Sequence, residues 1–295
     1  MLLNRKIPLS FLLADIKKET IGVFILTNLL FVLRHYIGLE ILSVPIAIPA
    51  LLGTGISLLL AFRTNQSYER WWEARNIWGS IVNDSRTLIR QLLTFLPEKS
   101  IEISRVAARR QVGWCYVLGH SLRGQPTQSL LDAYIPAQDQ IHNPVHPPLA
   151  ILQAHANQFR QLYQEGYLTD FQLIQLDSTL SRLTDAMGRC ERIKNTVFPK
   201  TYTFYLQVFI LLFTALLPFG FVEDLFFIEV PVVTVIAAAF FLIEKSAIRL
   251  QDPFENRPTD TPVHTIAQGI ERSVYQLVDL PLPEHQATPQ TYYTL

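Results

Sequence analysis

Long uncharged runs alternate with polar stretches along this chain of 295 residues. The clearest run is 41–62, ILSVPIAIPALLGTGISLLLAF, whose 22 residues include no Lys, Arg, Asp, Glu or His. A helix needs about 20 residues of this kind to cross the roughly 30 Å hydrocarbon layer of a bilayer. The pattern therefore predicts a membrane-spanning helix here.

The same pattern predicts three further spans, at residues 21–33, 201–222 and 230–243. The first of them is short, but Arg34 at its end can reach the headgroups with its long side chain. Brief links join the first span to the second and the third to the fourth. We therefore expect two antiparallel transmembrane hairpins, within residues 20–62 and 201–243.

The polar parts of the chain also show apolar residues at helical spacing. Residues 63–200 are predicted to form a cytosolic helical domain, and residues 244–295 a cytosolic C-terminal segment with a helix around 263–277. Residues 1–19 lack a small-residue cleavage site, so we expect an amphipathic helix at the membrane surface rather than a signal peptide. The predicted fold class is an all-α membrane protein with four transmembrane helices and a cytosolic helical domain.

The second span is predicted to continue out of the membrane as one long helix, because no Gly or Pro interrupts residues 56–78. Three tryptophans, Trp71, Trp72 and Trp78, follow the exit point. They form either an interfacial aromatic belt or part of the core of the cytosolic domain. Both interpretations fit the pattern.

Charges are distributed unequally on the two sides of the predicted spans. The link between the third and fourth spans carries three acids and no base. Basic residues lie on the opposite side, which the positive-inside rule makes cytoplasmic. They are Arg5, Lys6, Lys17, Lys18, Arg63, Arg70, Lys194, Lys200, Lys245 and Arg249. The sequence thus predicts a multi-pass membrane protein, in contact with lipid and with both termini and the middle domain cytoplasmic.

Composition narrows the function classes. The formal net charge is zero and no long basic run occurs, so the chain lacks the electrostatic features of a nucleic-acid-binding protein. Cys115 and Cys190 fall in the polar part without a partner motif and are predicted to be free buried thiols.

Catalytic and cofactor motifs are missing from the sequence. It contains no Gly-rich phosphate loop, nucleophile elbow or zinc-protease motif. His142 and His146 are the only close histidine pair, and Pro144 between them argues against a metal site on a helix. We therefore expect no enzyme activity, no cofactor and no metal.

A conduit for ions needs no catalytic residue, because uncharged helices repeated by symmetry can line a pore. Thr54, Leu58 and Phe62 lie four residues apart, close to one helical face, and could form such a ring in an oligomer. A stripe of this kind more commonly faces lipid or packs in a core, and the pattern alone leaves that alternative open.

Three segments resemble the bestrophin family, in its prokaryotic branch. GISLLLAFRTNQSYERWWEARNIWGSIVNDSR at 55–86 is similar to the apolar helix and RWW motif of the family. CERIKNTVFPKTYT at 190–203 and LQDPFENRPTD at 250–260 are similar to its second and third conserved blocks, in the same order. The resemblance implies a homopentameric ion channel with one axial pore.

The resemblance also implies roles for four residues. Thr54, Leu58 and Phe62 match the three positions of a narrow hydrophobic neck, and Val208, nine residues after Pro199, matches a cytoplasmic aperture. Because Val208 falls within the predicted third span, either the aperture lies near the cytoplasmic end of that span or the predicted start of the span is too early.

Two departures from the family pattern affect function. Thr54 replaces an apolar neck residue, which predicts a wetter upper ring. Residues 255–260, ENRPTD, have too few carboxylates for the calcium site of the animal members, so we expect no calcium gating.

The resemblance implies that the permeating ions are small monovalent anions such as chloride, and phenylalanine edges and helix N-termini are compatible with anions. Acidic rings at Glu69 or Glu73 could reverse this preference and give a channel selective for a monovalent cation such as sodium. A secondary transporter and a non-conducting membrane sensor are the remaining alternatives; the first is disfavoured because no buried coupling acid appears in the spans.

Overall fold

The computed structural model describes residues 9–36, 44–136, 144–196, 198–221 and 228–282, which contain nine α-helices and no strand. This confirms the predicted all-α class. In chain order the helices are α1 (Leu9–Tyr36), α2 (Ala47–Phe95), α3 (Ile101–Leu122), α4 (Gln128–Tyr134), α5 (Pro147–Gln164), α6 (Asp170–Asn195), α7 (Lys200–Leu216), α8 (Glu229–Gln251) and α9 (Val263–Leu277).

Contacts divide the described chain into two units, each built from separate stretches of sequence. Residues 9–70 and 198–252 form one, here called the membrane unit, and residues 71–196 and 253–282 form the other, here called the polar unit. The sequence placed these divisions about eight residues earlier, after residues 62 and 243. The membrane unit extends past residues 62 and 243 because α2 and α8 continue beyond the ends of their apolar runs without a helix-breaking residue.

Helix α2 is 49 residues long, which corresponds to about 74 Å at the rise of an α-helix. The predicted continuous helix over 56–78 is therefore confirmed, and it ends at Phe95, just before Pro97. Its tryptophans separate into different environments. Trp78 is fully buried in the core of the polar unit, Trp71 donates its indole N–H to the Thr259 carbonyl at 3.1 Å, and Trp72 is half exposed.

Helix α1 joins two segments that the sequence analysis separated. The surface helix predicted over residues 1–19 and the span predicted after it form one helix from Leu9 to Tyr36, with residues 1–8 outside the described range. No proline interrupts this stretch and its only glycine is Gly22, so nothing local ends the first segment before the second begins.

Helices α1 and α8 pack antiparallel in the membrane unit. As the chain advances along α1, its partners move back along α8, as three ion pairs show: Asp15–Arg249, Glu19–Lys245 at 2.6 Å and Arg34–Glu229 at 3.3 Å. These pairs neutralise most of the charges that border the apolar part of α1.

Three helices in the described ranges are long and apolar enough to cross a membrane: α2, α7 with its short extension to Gly220, and α8. They correspond to the second, third and fourth predicted spans, although the predicted end of the third, Val222, lies outside the described residues. Helix α1 is not among them, because only residues 20–33 separate Glu19 from Arg34. Its role as a span stays a prediction.

The core of the polar unit is organised around α3. Its side chains from Gln111 to Gly119 are buried without interruption, and α4, α5, α6 and α9 pack against it. Both cysteines are free and buried in this unit, as predicted. Burial raises the pKa of the Cys115 thiol to about 12 and that of the Cys190 thiol to about 12, so both stay protonated at neutral pH.

Candidate functional site

The stripe formed by Thr54, Leu58 and Phe62, here called the neck stripe, lies on an exposed face of α2. Leu58 and Phe62 are each 58% exposed. At about 100° per residue, the three positions fall within an arc of roughly 80°. The positions that α2 buries lie on the opposite side: Gly53, Ile56, Leu60, Arg63 and Ser67. The neck stripe is therefore not part of the protomer core, which excludes the alternative that these residues pack in a core. The alternative that they face lipid stays open.

Hydroxyl groups near the neck stripe are bonded within α2 itself. Thr54 Oγ1 donates to the Ala50 carbonyl at 2.9 Å, and Ser57 Oγ donates to the Gly53 carbonyl at 2.8 Å. A hydroxyl has one proton to donate and two lone pairs that accept. Thr54 therefore presents its methyl group and oxygen lone pairs outward, and it has no proton left to donate to an ion.

Helix α7 supports the buried side of α2. The ring of Phe213 lies against Gly53, where an added Cβ would stand 3.0 Å from the nearest ring carbon. Nearer the other end, the Tyr202 hydroxyl donates to the Leu59 carbonyl at 2.9 Å, and Arg63 Nη2 donates to Thr203 Oγ1 at 2.8 Å. Helix α7 is thus antiparallel to α2 and contacts its buried side along the length of the neck stripe.

A buried ion pair lies at the end of the neck stripe. Arg63 is 1% exposed and Glu244 of α8 is fully buried, with Nη1 and Oε1 3.7 Å apart. The Arg63 guanidinium also lies over the rings of Phe198 and Tyr202, at 5.5 and 5.9 Å from their centroids. In the sequence Arg63 is one of the bases on the predicted cytoplasmic side of the spans, and the pattern did not predict that it is an internal contact joining α2, α7 and α8.

The pair has a weak signal in the sequence: a base directly after one apolar run and an acid directly after another. Nothing in that signal states that the two side chains meet. A buried pair of this kind is costly to break, because removing one partner leaves the other charge without compensation.

Val208 lies in the middle of α7 and is 40% exposed, on a different side from the buried Leu206 and Ile210. Helix α7 begins at Lys200, one residue before the predicted start of the third span, and where the helix enters the membrane stays a prediction. The contacts of Thr203 with Arg63 and of Phe213 with Gly53 bracket Val208. It is therefore level with the neck stripe, and its role as an aperture stays a prediction.

The acids of the third conserved block are engaged by the protein. Glu255 accepts from Lys194 Nζ at 2.6 Å, and this hydrogen bond lowers the pKa of the Glu255 carboxyl. Asp260 is fully buried, its Oδ2 accepts from the Arg257 amide at 3.0 Å, and burial raises the pKa of its carboxyl. Glu255 is exposed but paired with Lys194, and Asp260 is buried, so the two carboxylates do not converge on one point as ligands of a cation.

Metal ligands do not converge elsewhere in the parts of the chain that the structure describes, where no three His, Cys, Asp or Glu side chains lie close enough to hold an ion. His142 is outside these parts. His146 instead pairs with Glu191 at 2.9 Å and accepts the Leu149 amide at 3.2 Å at the start of α5.

The three long apolar helices and the exposed, charge-free stripe on one of them are typical of an all-helical membrane protein. The chain belongs to the bestrophin family, since the family model described as Bacterial/Fungal Bestrophin protein matches residues 7–276. This confirms the resemblance carried by the three conserved blocks.

Individual relatives and solved structures agree with this assignment. A voltage-dependent anion channel-forming protein of Nostoc sp. is 32% identical over 261 residues, covering 87% of this chain and 83% of the relative. The voltage-dependent anion channel-forming protein YneE of Escherichia coli is 30% identical, over 90% and 87% of the two chains. The crystal structure of a bacterial bestrophin homologue from Klebsiella pneumoniae is 29% identical with a TM-score of 0.83, covering 90% of this chain and 99% of that one.

Proposed function

We propose that the protein is a homopentameric channel of the bacterial plasma membrane that passively conducts small monovalent anions such as chloride. Thr54, Leu58 and Phe62 line its hydrophobic neck. The observation that carries this proposal is the position of the neck stripe, exposed on α2 directly opposite the stripe that the protomer buries. The names of the relatives, which describe anion channel-forming proteins, support the choice of ion.

In the proposed topology α1 is a fourth span, both termini are cytoplasmic and lipid surrounds the pentamer. The pairing of Asp15 and Glu19 with bases of α8 supports this role for α1, because paired charges are less costly next to hydrocarbon than isolated ones. Val208, exposed on α7, is proposed to form the cytoplasmic aperture of the pore.

Conduction is proposed to be independent of calcium. A calcium site needs several oxygen ligands, including carboxylates directed at one point. In the third conserved block Glu255 is bound to Lys194, and Asp260 is turned toward the Arg257 amide.

A monovalent cation channel of the same architecture is the second candidate. Two observations favour it: the Thr54 hydroxyl offers only lone pairs to the pore, and Glu69 follows the neck stripe on the same helix. Lone pairs and carboxylates are ligands for cations rather than for anions.

Reversal potentials decide between these candidates. Purified full-length protein in planar bilayers under a potassium chloride gradient is expected to give unitary currents that reverse near the chloride equilibrium potential. Native mass spectrometry is expected to show an assembly of five chains of 33.8 kDa each. Reversal near the potassium equilibrium potential instead means that the channel conducts cations rather than chloride. Flux that requires a proton or sodium gradient refutes the proposal that the protein is a channel.

Substitution of the neck tests its residues directly. Leu58→Ala with Phe62→Ala widens the constriction and is expected to raise unitary conductance about twofold or more, since a hydrophobic constriction limits flow by dewetting. Phe24→Ala with Leu29→Ala is a matched control, because these α1 residues are 51% and 55% exposed. The control is expected to leave conductance unchanged. Equal currents from the neck variant and the parent contradict the assignment.

A further inference from the structure

The exposed face of α2 that carries the neck stripe continues toward the polar unit. Asn65 and Glu69 are exposed and lie within the same arc of roughly 80° as Thr54, Leu58 and Phe62. Glu69 follows Phe62 by about 10 Å along the helix axis. The apolar stripe is therefore followed, on one face of one helix, by an amide and a carboxylate.

The Glu69 carboxylate has a fixed position. Asn65 Nδ2 donates to Glu69 Oε1 at 2.9 Å, across one turn of α2. An amide that donates to a carboxylate four residues later orients it without cancelling its charge. One oxygen of the exposed Glu69 side chain is thus held by an uncharged donor.

Glu69 differs in this respect from Glu73, the next acid along α2. Glu73 Oε1 lies 3.7 Å from Arg189 Nη2 and 3.6 Å from Arg192 Nη2, so two guanidinium groups compensate it. Among the described residues no basic side chain lies within ion-pair distance of Glu69. Of the two acids that follow the neck stripe, Glu69 alone carries uncompensated charge.

We infer that Glu69 sets the anion-to-cation permeability ratio of the pore. This inference rests on the proposed function, because it requires copies of α2 around a common axis. In that arrangement the copies of Glu69 form a ring of carboxylates beyond the hydrophobic neck, held by Asn65. Such a ring concentrates cations at the pore mouth and repels anions, and thereby lowers the passage of chloride.

The test is the reversal potential of Glu69→Gln in the same bilayers. Loss of the ring charge is expected to raise the chloride-to-potassium permeability ratio by about threefold or more. This is the size of effect expected from the Coulomb energy between several unit charges and an ion a few ångströms away in water. Glu69→Asp keeps the charge and is expected to keep the parent ratio. The difference between parent and Glu69→Gln is expected to shrink near 1 M salt, where the screening length is only about 3 Å.

Glu165→Gln is a closely matched control. Glu165 is exposed, ends α5 in the polar unit, and accepts from Gln161 Nε2 at 2.8 Å, again from an amide four residues earlier. Its neutralisation removes the same charge and keeps an oxygen that can accept the same kind of hydrogen bond, and is expected to leave the ratio unchanged. Native mass spectrometry of each variant verifies that the assembly is retained.

The outcomes separate the inference from the proposed function. Currents whose permeability ratio is the same in the parent, Glu69→Gln and Glu165→Gln overturn the role of Glu69 and leave the channel intact. A cation-selective parent whose ratio moves toward chloride in Glu69→Gln supports the inference and overturns anion selectivity. A parent without currents overturns both.

Discussion

The hydroxyl group of Thr54 is the one polar side-chain group in the neck stripe. Its proton is donated to the Ala50 carbonyl at 2.9 Å, so its contribution to a pore is an oxygen that accepts hydrogen bonds from water. A ring of such oxygens keeps water in a narrow passage that an apolar ring would dry. In the proposed channel, Thr54 is therefore expected to lower the barrier to ions at the upper end of the neck.

Thr54→Val removes this oxygen while keeping the shape of the side chain. We expect unitary conductance to fall about threefold or more, because a hydrophobic constriction conducts poorly when it loses water. Thr54→Ser keeps the hydroxyl and should retain most of the conductance. Thr64→Val is the control, since Thr64 donates to the Leu60 carbonyl at 2.8 Å in the same way but lies outside the arc of the neck stripe. If the Thr54→Val channel conducts as well as the parent, the Thr54 hydroxyl does not contribute to conductance.

Single-residue positions were predictable from the sequence only where they follow local periodicity. The spacing of Thr54, Leu58 and Phe62 determines that they share a face, whatever the tertiary structure. Arg63 and Glu244 meet only because α2 and α8 pack together, and their local surroundings resemble those of surface charges. Pairing between distant segments is information that one sequence without an alignment does not contain.

At the level of elements, the paired charges of α1 and α8 explain why the predicted helix bounds differ from those observed. The fourth span was predicted to end at residue 243, where charges begin, but α8 continues to Gln251. Glu244 pairs with Arg63 and Lys245 pairs with Glu19, so these charges stabilise the continuation of the helix instead of ending it. The long uninterrupted α2 was predictable, because the absence of helix-breaking residues is a local property.

Reversal of one α1–α8 pair tests the antiparallel register. Glu19→Lys and Lys245→Glu are each expected to lower the free energy of unfolding, because each places two like charges in contact. The double variant restores an ion pair, with a coupling of about 1 kcal/mol for a partly buried pair. Chemical unfolding in detergent measures all three variants. Lys17→Glu is the control, since Lys17 is exposed and forms none of the α1–α8 pairs. If the double variant is no more stable than the sum of the single changes predicts, the register is wrong.

On the scale of the whole molecule, the stability of the protein is expected to depend on pH through His155. This side chain is fully buried in the polar unit and neither ring nitrogen has a hydrogen-bond partner among the described residues. Burial, together with the neighbouring Arg110, lowers the pKa of His155 well below its ordinary value of 6.5. Below pH 6.5 the unfolded chain therefore binds a proton that the folded chain does not, and stability falls as pH decreases.

His155→Leu is expected to remove this part of the pH dependence. Between pH 7.5 and 5.5, the free energy of unfolding of the parent should fall relative to that of the variant by about 1 kcal/mol, given about 1.4 kcal/mol per pH unit for one full proton. Denaturant titrations of the full-length protein at the two pH values measure the difference. His120→Leu is the control, because His120 is only partly buried at the end of α3 and its Nδ1 lies 3.2 Å from the Pro126 carbonyl. Parallel pH profiles for the parent and His155→Leu would exclude this residue as the source.

The interleaving of the two units along the chain has a consequence for biogenesis. Helix α9 completes the core of the polar unit with Ala267, Ile270 and Val274, packed against α3. The ribosome makes α3 early, but it must translate all of α7 and α8 before α9 emerges. The polar unit therefore cannot reach its native core until α7 and α8 have been synthesised, so this core is completed late in translation although most of its helices are made early.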